Sequence, residues 1–158
     1  MKIAVISDTH SLPLPKKLLD FLPKVDLIIH AGDICDLDTL KTLQKIKKVV
    51  AVQGNMCDAE LKQKLPLKEY VEHEEVKIGI CHGHGRTLDA FENAKASFMN
   101  EEVDIIIFGH SHHALSKAVD GIHFFNPGSP NDVVKARFFS YGFIEIHNGQ
   151  FQAEIIKL

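Results

Sequence analysis

The chain begins with a short apolar, β-branched run that ends abruptly in polar side chains. Residues 1–7 have the composition of a buried strand, and Asp8 and His10 follow directly. In an open α/β sheet, ligands bind at the carboxyl ends of the strands, because the loops that leave them converge on one crevice. We therefore expect Asp8 and His10 to lie at the end of a core strand, where they can bind one cation.

Four further apolar runs along the chain end in the same way. Each is followed within a few residues by aspartate, asparagine or histidine, usually beside a glycine. In chain order they are residues 27–30 before Asp33, residues 49–52 before Asn55, residues 76–81 before His82 and His84, and residues 104–108 before His110 and His112. The repetition predicts core strands that all end in residue types able to bind metal.

Helical periodicity separates these runs in the first two-thirds of the chain. Helices are expected at residues 15–22, from an N-cap at Asp38, and from about residue 87 to residue 99. The last third shows strands only, and the dipeptides Asp-Gly at 120–121 and Asn-Gly at 148–149 predict two tight hairpins. Parallel strands followed by hairpins indicate a mixed sheet, or two packed sheets, with helices outside.

The residue types at the strand ends suit metal ions. They comprise two carboxylates, one amide and four imidazoles, from Asp8, His10, Asp33, Asn55, His82, His110 and His112. This set is too large for one tetrahedral zinc and suits two ions of higher coordination number. A carboxylate can bridge two such ions about 3.5–4 Å apart, with a hydroxide between them that attacks phosphorus in line. Hydrolysis of a phosphate ester is therefore predicted.

The ordered motifs resemble those of the calcineurin-like metallophosphoesterase superfamily. The residues that carry the resemblance are Asp8-x-His10, Gly32-Asp33, Gly54-Asn55, His82-Gly83-His84 and Gly109-His110-Ser111-His112. The short length and the Asn126-Pro127-Gly128-Ser129 segment are most similar to the small bacterial and archaeal phosphodiesterases, whose eukaryotic relative is the retromer subunit Vps29. The resemblance implies an α/β fold, a four-layer αββα sandwich in which helices flank mixed β-sheets.

The resemblance also implies a role for each matching residue. It assigns Asp8, His10 and His112 to a first metal, Asn55, His82 and His110 to a second, and Asp33 to both as a bridge. As catalytic residues it implies Asp33, Asn55 and His84, the last contacting substrate phosphate or orienting a ligand. Ser129 or the backbone of the Asn126 loop could position a ligand. The implied cofactor is two divalent ions, manganese first, with nickel, iron, cobalt or zinc left open.

One departure from the family pattern bears on mechanism. Many members of the superfamily place a histidine that assists catalysis directly after the Gly-Asn pair, but Met56 stands there in this chain. Methionine cannot transfer a proton, so Asp58, Cys57 or His84 would have to substitute, or the enzyme would favour esters whose leaving group needs no help. We therefore expect slow hydrolysis of alkyl esters relative to aryl esters such as p-nitrophenyl phosphodiesters.

The other histidines and the cysteines are expected to be structural. His30 is predicted to be a buried, hydrogen-bonded residue, and four histidines are predicted to be polar surface or strand positions: His73, His113, His123 and His147. The cysteines are expected to be reduced and to pack in the interior: Cys35, Cys57 and Cys81. Each lies within two residues of a proposed ligand, so a thiolate ligand is left open.

Length and composition narrow the class of protein and its partners. A chain of 158 residues predicts one globular domain over residues 1–158, without a targeting segment or membrane span, and thus a cytoplasmic protein. The net charge of −3 argues against nonspecific nucleic-acid binding, and the short chain implies an open site for small phosphodiesters. Two functions stay open: a dinuclear metal-dependent phosphodiesterase, or a Vps29-like protein-binding scaffold with a weak or non-catalytic metal site. A homo-oligomer is left open.

Overall fold

Two five-stranded mixed sheets pack face to face in this protein. The computed structural model describes residues 1–85 and 89–158. In this part the strands are β1 (Lys2–Ile6), β2 (Leu27–His30), β3 (Val49–Ala51), β4 (Lys68–His73), β5 (Val76–Cys81), β6 (Ile105–Ile107), β7 (Leu115–Val119), β8 (Ile122–Asn126), β9 (Ser140–His147) and β10 (Gln150–Lys157). The helices are α1 (Lys16–Leu19), a 3-10 turn at Leu22–Lys24, α2 (Leu37–Ile46), α3 (Ala59–Lys64) and α4 (Ala90–Ser97). The strand order is β10-β9-β1-β2-β3 in the first sheet and β4-β5-β6-β8-β7 in the second.

The hydrophobic core has three parts, which separate four layers. Successive side chains of β1 face opposite sides of the sheet. Ile3 and Val5 therefore pack between the sheets, whereas Ala4 and Ile6 pack against the helices that cover the first sheet. A third cluster, which includes Ala94 of α4, covers the outer face of the second sheet. The layers are helices α1–α3, the first sheet, the second sheet and α4, which confirms the four-layer αββα sandwich.

Parallel pairing places the strand ends of interest on one edge. Strands β1, β2 and β3 are parallel to one another, as are β5, β6 and β8. The hairpins β7–β8 and β9–β10 complete the sheets, as predicted. Their turn residues Asp120 and Asn148 both have a φ of 53°, the left-handed conformation that two-residue hairpin turns require.

The structure differs from the sequence prediction at three helices. Helix α1 ends at Leu19, before the predicted end at residue 22, and a separate 3-10 turn follows at Leu22–Lys24. Helix α2 begins at the N-cap Asp36, whose Oδ1 accepts from the Thr39 N–H at 2.7 Å, so the N-cap prediction at Asp38 was wrong. Helix α4 has Asp89 as its N-cap and ends at Ser97, two residues before the predicted end. Thr87 and Leu88, the first residues of the predicted helix, lie outside the described residues.

Two elements had no counterpart in the sequence prediction. Strand β4 lies at an edge of the second sheet, and its residues are partly or fully exposed. Helix α3 has six residues, of which only Leu61 is buried. In the described part of the chain, every helix is too short or too polar to cross a bilayer.

Candidate metal centre

The loops that follow the strands are hydrogen-bonded to one another. After β1 and β2, the Asp8 N–H donates to Gly32 O at 3.0 Å. One step further, the His10 N–H donates to Asp33 O at 3.1 Å. Across the two sheets, the His110 N–H donates to the Asp8 carboxylate, with a distance of 3.0 Å to Oδ2. These bonds fix the polar residues from both sheets in one place.

Six of the predicted residues form two clusters suited to a metal ion. We call them the Asp8 group and the Asp33 group; their members are Asp8, His10 and His112 in the first and Asp33, His82 and His110 in the second. Within each group, one ligand atom from every side chain lies within 4.8 Å of the others. The groups adjoin, because His82 Nε2 lies 3.9 Å from Asp8 Oδ1.

The Asp8 group rests on two other side chains. His112 Nε2 lies 3.3 Å from Asp8 Oδ1 and 3.2 Å from His10 Nε2. On the opposite sides of the rings, His112 Nδ1 donates to the Asp132 carboxylate, and His10 Nδ1 lies 3.5 Å from Cys35 Sγ. The Cys35 thiol donates to Asp33 O, so its sulfur can accept from His10 Nδ1–H. A hydrogen bond that Nδ1–H donates favours the tautomer whose Nε2 lone pair can bind metal. Both imidazoles therefore direct Nε2 into the centre.

The Asp33 group rests on main-chain atoms. His82 Nδ1 donates to Ala31 O at 2.8 Å, which leaves Nε2 facing Asp33 Oδ2 at 3.2 Å. Asp33 Oδ1 accepts from the Met56 N–H at 2.8 Å. Burial alone would raise the pKa of Asp33, but His82 and the Met56 N–H lower that pKa to about 2. The Asp33 carboxylate is therefore ionised and fixed in orientation.

The buried polar atoms of the centre fit a divalent cation. His82 Nε2 is buried and has no hydrogen-bond partner among the described residues, because its contact with Asp33 lacks hydrogen-bond direction. Asp8 is fully buried. Burial raises the pKa of its carboxyl, although the charges of His82 and His112 act to lower that pKa. A buried ionised carboxylate, and a buried imidazole nitrogen without a hydrogen-bond partner, cost free energy unless a cation lies beside them. Oxygen and imidazole nitrogen donors together suit manganese, iron, nickel, cobalt or zinc.

The backbone of the centre is held in a disfavoured conformation. Six residues that form or support the two groups have a positive φ, between 48° and 71°: Asp8, His10, Asp33, Cys35, His110 and His112. A side chain with a Cβ disfavours this region, at a cost on the order of 1 kcal/mol each. Such a concentration of strain is typical of a functional site, because the surrounding structure must maintain it.

Glycines in the predicted motifs make room for the carboxylates. A Cβ at Gly54 would lie 2.0 Å from Asp33 Oδ1, and one at Gly109 would lie 2.7 Å from Asp8 Oδ2. Both distances are far below van der Waals contact, so any larger residue would displace a carboxylate. The two glycines are therefore required by close packing against the two groups.

A cavity of about 360 Å³ opens over both groups. Asn55 and Met56 lie at its rim, and the Met56 side chain is 59% exposed. The main-chain O of Asn55 accepts from Lys62 Nζ at 2.9 Å, which holds this loop against α3. Leu12 and Lys135 line the same cavity.

His84 lies next to the Asp33 group. Its ring centroid is 5.5 Å from that of His82 and 6.3 Å from that of His110. The buried His84 Nδ1 has no hydrogen-bond partner among residues 1–85 and 89–158. Burial, together with the charge of His82, lowers the pKa of His84, so its ring is neutral at neutral pH.

The two other substitutes considered for the missing acid have structural roles. Asp58 is the N-cap of α3, and its Oδ1 accepts from the Leu61 N–H at 2.8 Å. Cys57 is buried, and its Sγ accepts from the Gly54 N–H at 3.2 Å. Of the three candidates, His84 is the one whose ring lies beside the Asp33 group.

Asp132 is the supporting residue that the sequence reasoning missed. It follows the Asn126–Ser129 segment, and the Ser129 hydroxyl links this loop to β1 by donating to Asp8 O at 2.9 Å and accepting from the Asp132 N–H at 3.1 Å. Ser129 thus ties the Asp132 loop to the residues that follow β1, and its predicted role in positioning a ligand stays a prediction. An acidic residue three positions beyond Ser129 was the available signal, although an aspartate in a loop is usually a turn former.

The remaining histidines and cysteines divide between packing and support. His30 is fully buried, as predicted, with Nε2 3.1 Å from Thr9 Oγ1, but its buried Nδ1 has no hydrogen-bond partner within the part of the chain that the structure describes. Cys57 and Cys81 are buried, whereas Cys35 is half-buried and contacts His10. Burial, together with the nearby Asp33 carboxylate, raises the pKa of the Cys35 thiol to about 12, which argues against a thiolate at neutral pH.

Known proteins share both the sequence pattern and the fold. The sequence matches the calcineurin-like phosphoesterase superfamily domain over residues 1–149. It is 40% identical over 136 residues to the probable metallophosphoesterase MJ0623 of Methanocaldococcus jannaschii, covering 82% of this chain and 68% of that protein. Phosphodiesterase MJ0936 of the same organism is 31% identical over 143 residues, covering 81% and 83%. Wild-type Vps29 of Entamoeba histolytica, solved in complex with zinc, superposes with a TM-score of 0.77 at 26% identity over 99% of both chains. The chain therefore belongs to the calcineurin-like phosphoesterase superfamily.

Proposed function

We propose that this protein is a phosphodiesterase that uses two divalent metal ions. The observation that carries the proposal is the adjacency of the Asp8 and Asp33 groups, with the unpaired His82 Nε2 facing both carboxylates. When bound, two such ions lower the pKa of water, neutralise phosphate oxygens and favour in-line displacement at phosphorus. The similarity to phosphodiesterase MJ0936 supports the same class of chemistry.

Seven side chains would hold the ions. The first set is Asp8, His10 and His112, the second is Asn55, His82 and His110, and Asp33 would belong to both. Asp33 suits a shared ligand because one of its oxygens is anchored by the Met56 N–H and the other faces His82. Asn55 lines the cavity that opens over both groups, which supports its assignment to the second set.

His84 would assist the reaction as a neutral imidazole. Its lowered pKa favours the neutral ring, which can donate one hydrogen bond to a phosphate oxygen and accept another. The side chain of Met56, at the position where many relatives carry a histidine, can hold no proton. We therefore expect aryl diesters to react much faster than alkyl diesters, because a poor leaving group needs a general acid. Equal turnover of matched aryl and alkyl diesters would contradict the absence of a general acid at the position of Met56.

The substrates proposed are small phosphodiesters. The cavity is open and its volume suits a small molecule. Manganese is the first candidate metal, since mixed nitrogen and oxygen donors suit it, and nickel, iron, cobalt and zinc share that preference.

The test is a metal reconstitution assay. Metal-stripped protein would be assayed on bis-p-nitrophenyl phosphate after manganese, nickel, cobalt, zinc or magnesium is restored singly. We expect metal-dependent hydrolysis that Asp33→Asn abolishes together with binding of the second equivalent of metal. Asp120→Asn is the matched control, because Asp120 lies on a distant hairpin turn and is exposed. Full activity of Asp33→Asn with one metal equivalent would refute the bridging role.

A protein-binding scaffold of the Vps29 type is the second candidate. The exposed apolar side chains around the centre favour it: Leu12 and Met56 on the cavity and Val133 and Val134 on the adjacent loop are 44%, 59%, 79% and 85% exposed. Binding of two metal equivalents without hydrolysis of any diester would support this function over the first.

A further inference from the structure

A second cavity adjoins the candidate metal centre. Its volume is about 480 Å³, and it lies between loop residues 11–14, Leu19 of α1 and the N-terminal turn of α2. We call it the α2 groove. Leu12 lines both the α2 groove and the metal cavity, so the two meet at this side chain. The volume is in the range of small-molecule sites, and the shared Leu12 side chain places the α2 groove beside the metal cavity.

The two walls of the α2 groove differ in chemistry. One wall is apolar and consists of Leu12, Pro13, Leu14 and Leu19. Leu12 and Leu19 are 44% and 36% exposed, so this wall offers apolar surface to a ligand. The opposite wall presents hydroxyl and carboxylate oxygens from α2, including the Thr39 hydroxyl. A ring or short carbon skeleton that carries hydroxyl groups matches both walls.

The charge of the α2 groove is negative. Among the described residues that line it, Asp36 and Asp38 are acidic and none is basic. Asp36 caps α2 and thereby offsets the partial positive charge of the helix N-terminus. The Asp38 side chain is 96% exposed and pairs with Lys41 only at 3.9 Å, an exposed pair that neutralises it weakly. An anionic group in the α2 groove would therefore meet the weakly paired Asp38 carboxylate beside the Asp36 cap, and no described residue that lines the groove is basic.

We infer that the α2 groove binds one alcohol of the phosphodiester substrate and selects for an uncharged, hydroxyl-bearing group. The inference rests on the proposed phosphodiesterase function and names the substrate class more narrowly. A neutral alcohol of nucleoside size covers the leucine wall and donates hydrogen bonds to the oxygens of α2. A second phosphate on that alcohol is repelled, so nucleic-acid strands and bisphosphorylated diesters are poor substrates.

Two diesters that differ by one phosphate provide the test. They are the p-nitrophenyl ester of thymidine 5′-phosphate and the same compound with an additional 3′-phosphate, both assayed with the metal-reconstituted protein beside bis-p-nitrophenyl phosphate. We expect kcat/KM for the 3′-phosphorylated ester to be lower by about tenfold, a difference typical of one charge pair near water. The ratio should approach one at about 1 M salt, where the screening length falls to about 3 Å.

Substitutions in the α2 groove separate the contribution of its charge to substrate selection from the contribution of its apolar wall to substrate binding. Asp38→Asn should reduce the discrimination to about threefold, because it removes one exposed charge without touching the helix cap. Asp120→Asn, the same change at an exposed aspartate on the β7–β8 turn, should leave the ratio at about tenfold, as for distant exposed charges. Leu12→Ala should raise KM for both thymidine esters with little change in kcat, and Leu67→Ala, at a residue 59% exposed before β4, is its control.

The outcomes distinguish the two levels of proposal. If no diester is hydrolysed with any metal, the phosphodiesterase proposal fails, and the substrate inference fails with it. If all three diesters are hydrolysed with equal kcat/KM, or if Asp38→Asn leaves the ratio unchanged, the α2 groove is not the alcohol site, although the phosphodiesterase proposal stands.

Discussion

The Asp8 group and the Asp33 group present the same ligand atoms on different supports. In the Asp8 group, all three residues have a positive φ, and both imidazoles depend on another side chain, Asp132 or Cys35. In the Asp33 group, His82 follows β5 directly and is held by a main-chain carbonyl, and Asp33 is held by a main-chain N–H. The first support can be removed by mutating one side chain, whereas the second is fixed by the pairing of strands.

This difference predicts which substitutions should weaken metal binding by each group. Substitutions in distant loops can loosen the Asp8 group, because its second layer of contacts comes from residues 35 and 132. The Asp33 group is instead sensitive to its own side chains and to close packing such as that at Gly54. Removal of a side chain that supports a metal ligand, such as that of Asp132, usually lowers metal affinity by about 10- to 100-fold. The difference between the two groups should therefore be measurable.

Loss of one imidazole from each group gives the largest expected effect. His82→Asn and His112→Asn should each lower kcat by about a thousandfold, because each removes a proposed metal ligand worth several kcal/mol. We expect His82→Asn to lose both metal equivalents, since His82 Nε2 faces Asp33 and Asp8 alike. His112→Asn should keep one equivalent in the Asp33 group. Metal analysis after dialysis measures the equivalents that remain. Loss of both equivalents in His112→Asn would show that the Asp33 group does not bind metal independently of the Asp8 group.

Removal of the Asp132 charge tests the side-chain support of the Asp8 group. Asp132→Asn should weaken one metal equivalent by about 10- to 100-fold and leave the other unchanged, because only the His112 ring loses its carboxylate partner. Isothermal titration of metal-stripped protein measures the two affinities separately. Asp58→Asn serves as the control, since Asp58 caps α3 and its carboxylate accepts from the Leu61 N–H, outside both groups. Equal weakening of both equivalents would mean that the groups are not supported independently.

The sequence predicted the layers of this fold because each strand carries its own signal. The apolar runs are local, and the polar residues after them lie on the edge that parallel pairing brings together. Edge strand β4 escaped prediction because its alternating charged residues, such as Glu69 and Glu72, resemble a loop. The α2 cap was misplaced because Asp36 and Asp38 are both good cap residues, and only the Asp36–Thr39 hydrogen bond decides between them.

The sequence indicated the residues that meet in the two groups better than the side chains that support them. Asp8 and His10, or Gly32 and Asp33, stand in short motifs whose spacing is visible along the chain. Asp132 instead contacts His112 across 20 positions, and its loop has no periodicity that reveals the contact. Such pairings are set by the folded loops and not by local sequence. The supports therefore required the structure.

Acidification tests the buried contact between His30 and Thr9, which joins the end of β2 to the loop after β1. Burial, reinforced by the charge of His82, lowers the pKa of His30 to about 3 from the usual 6.5. The unfolded chain therefore binds a proton below pH 6.5 that the folded protein does not, so stability falls as pH decreases toward 3. Between pH 6.5 and pH 5, His30 should cost metal-stripped protein about 2 kcal/mol of unfolding free energy. Urea unfolding of wild type and His30→Gln measures the difference, and parallel pH dependences would contradict it.

The smallest expected effect concerns the thiol that supports His10. Cys35 Sγ lies 3.5 Å from His10 Nδ1, and sulfur is a weak hydrogen-bond partner compared with the Asp132 carboxylate on His112. Cys35→Ser should therefore change metal affinity of the Asp8 group by less than about tenfold, while Asp132→Asn changes it by more. The same titration measures both variants side by side. If Cys35→Ser weakens the metal as strongly as Asp132→Asn, the two supports of the Asp8 group are equivalent, and its ligands share one rigid framework instead of one strong and one weak anchor.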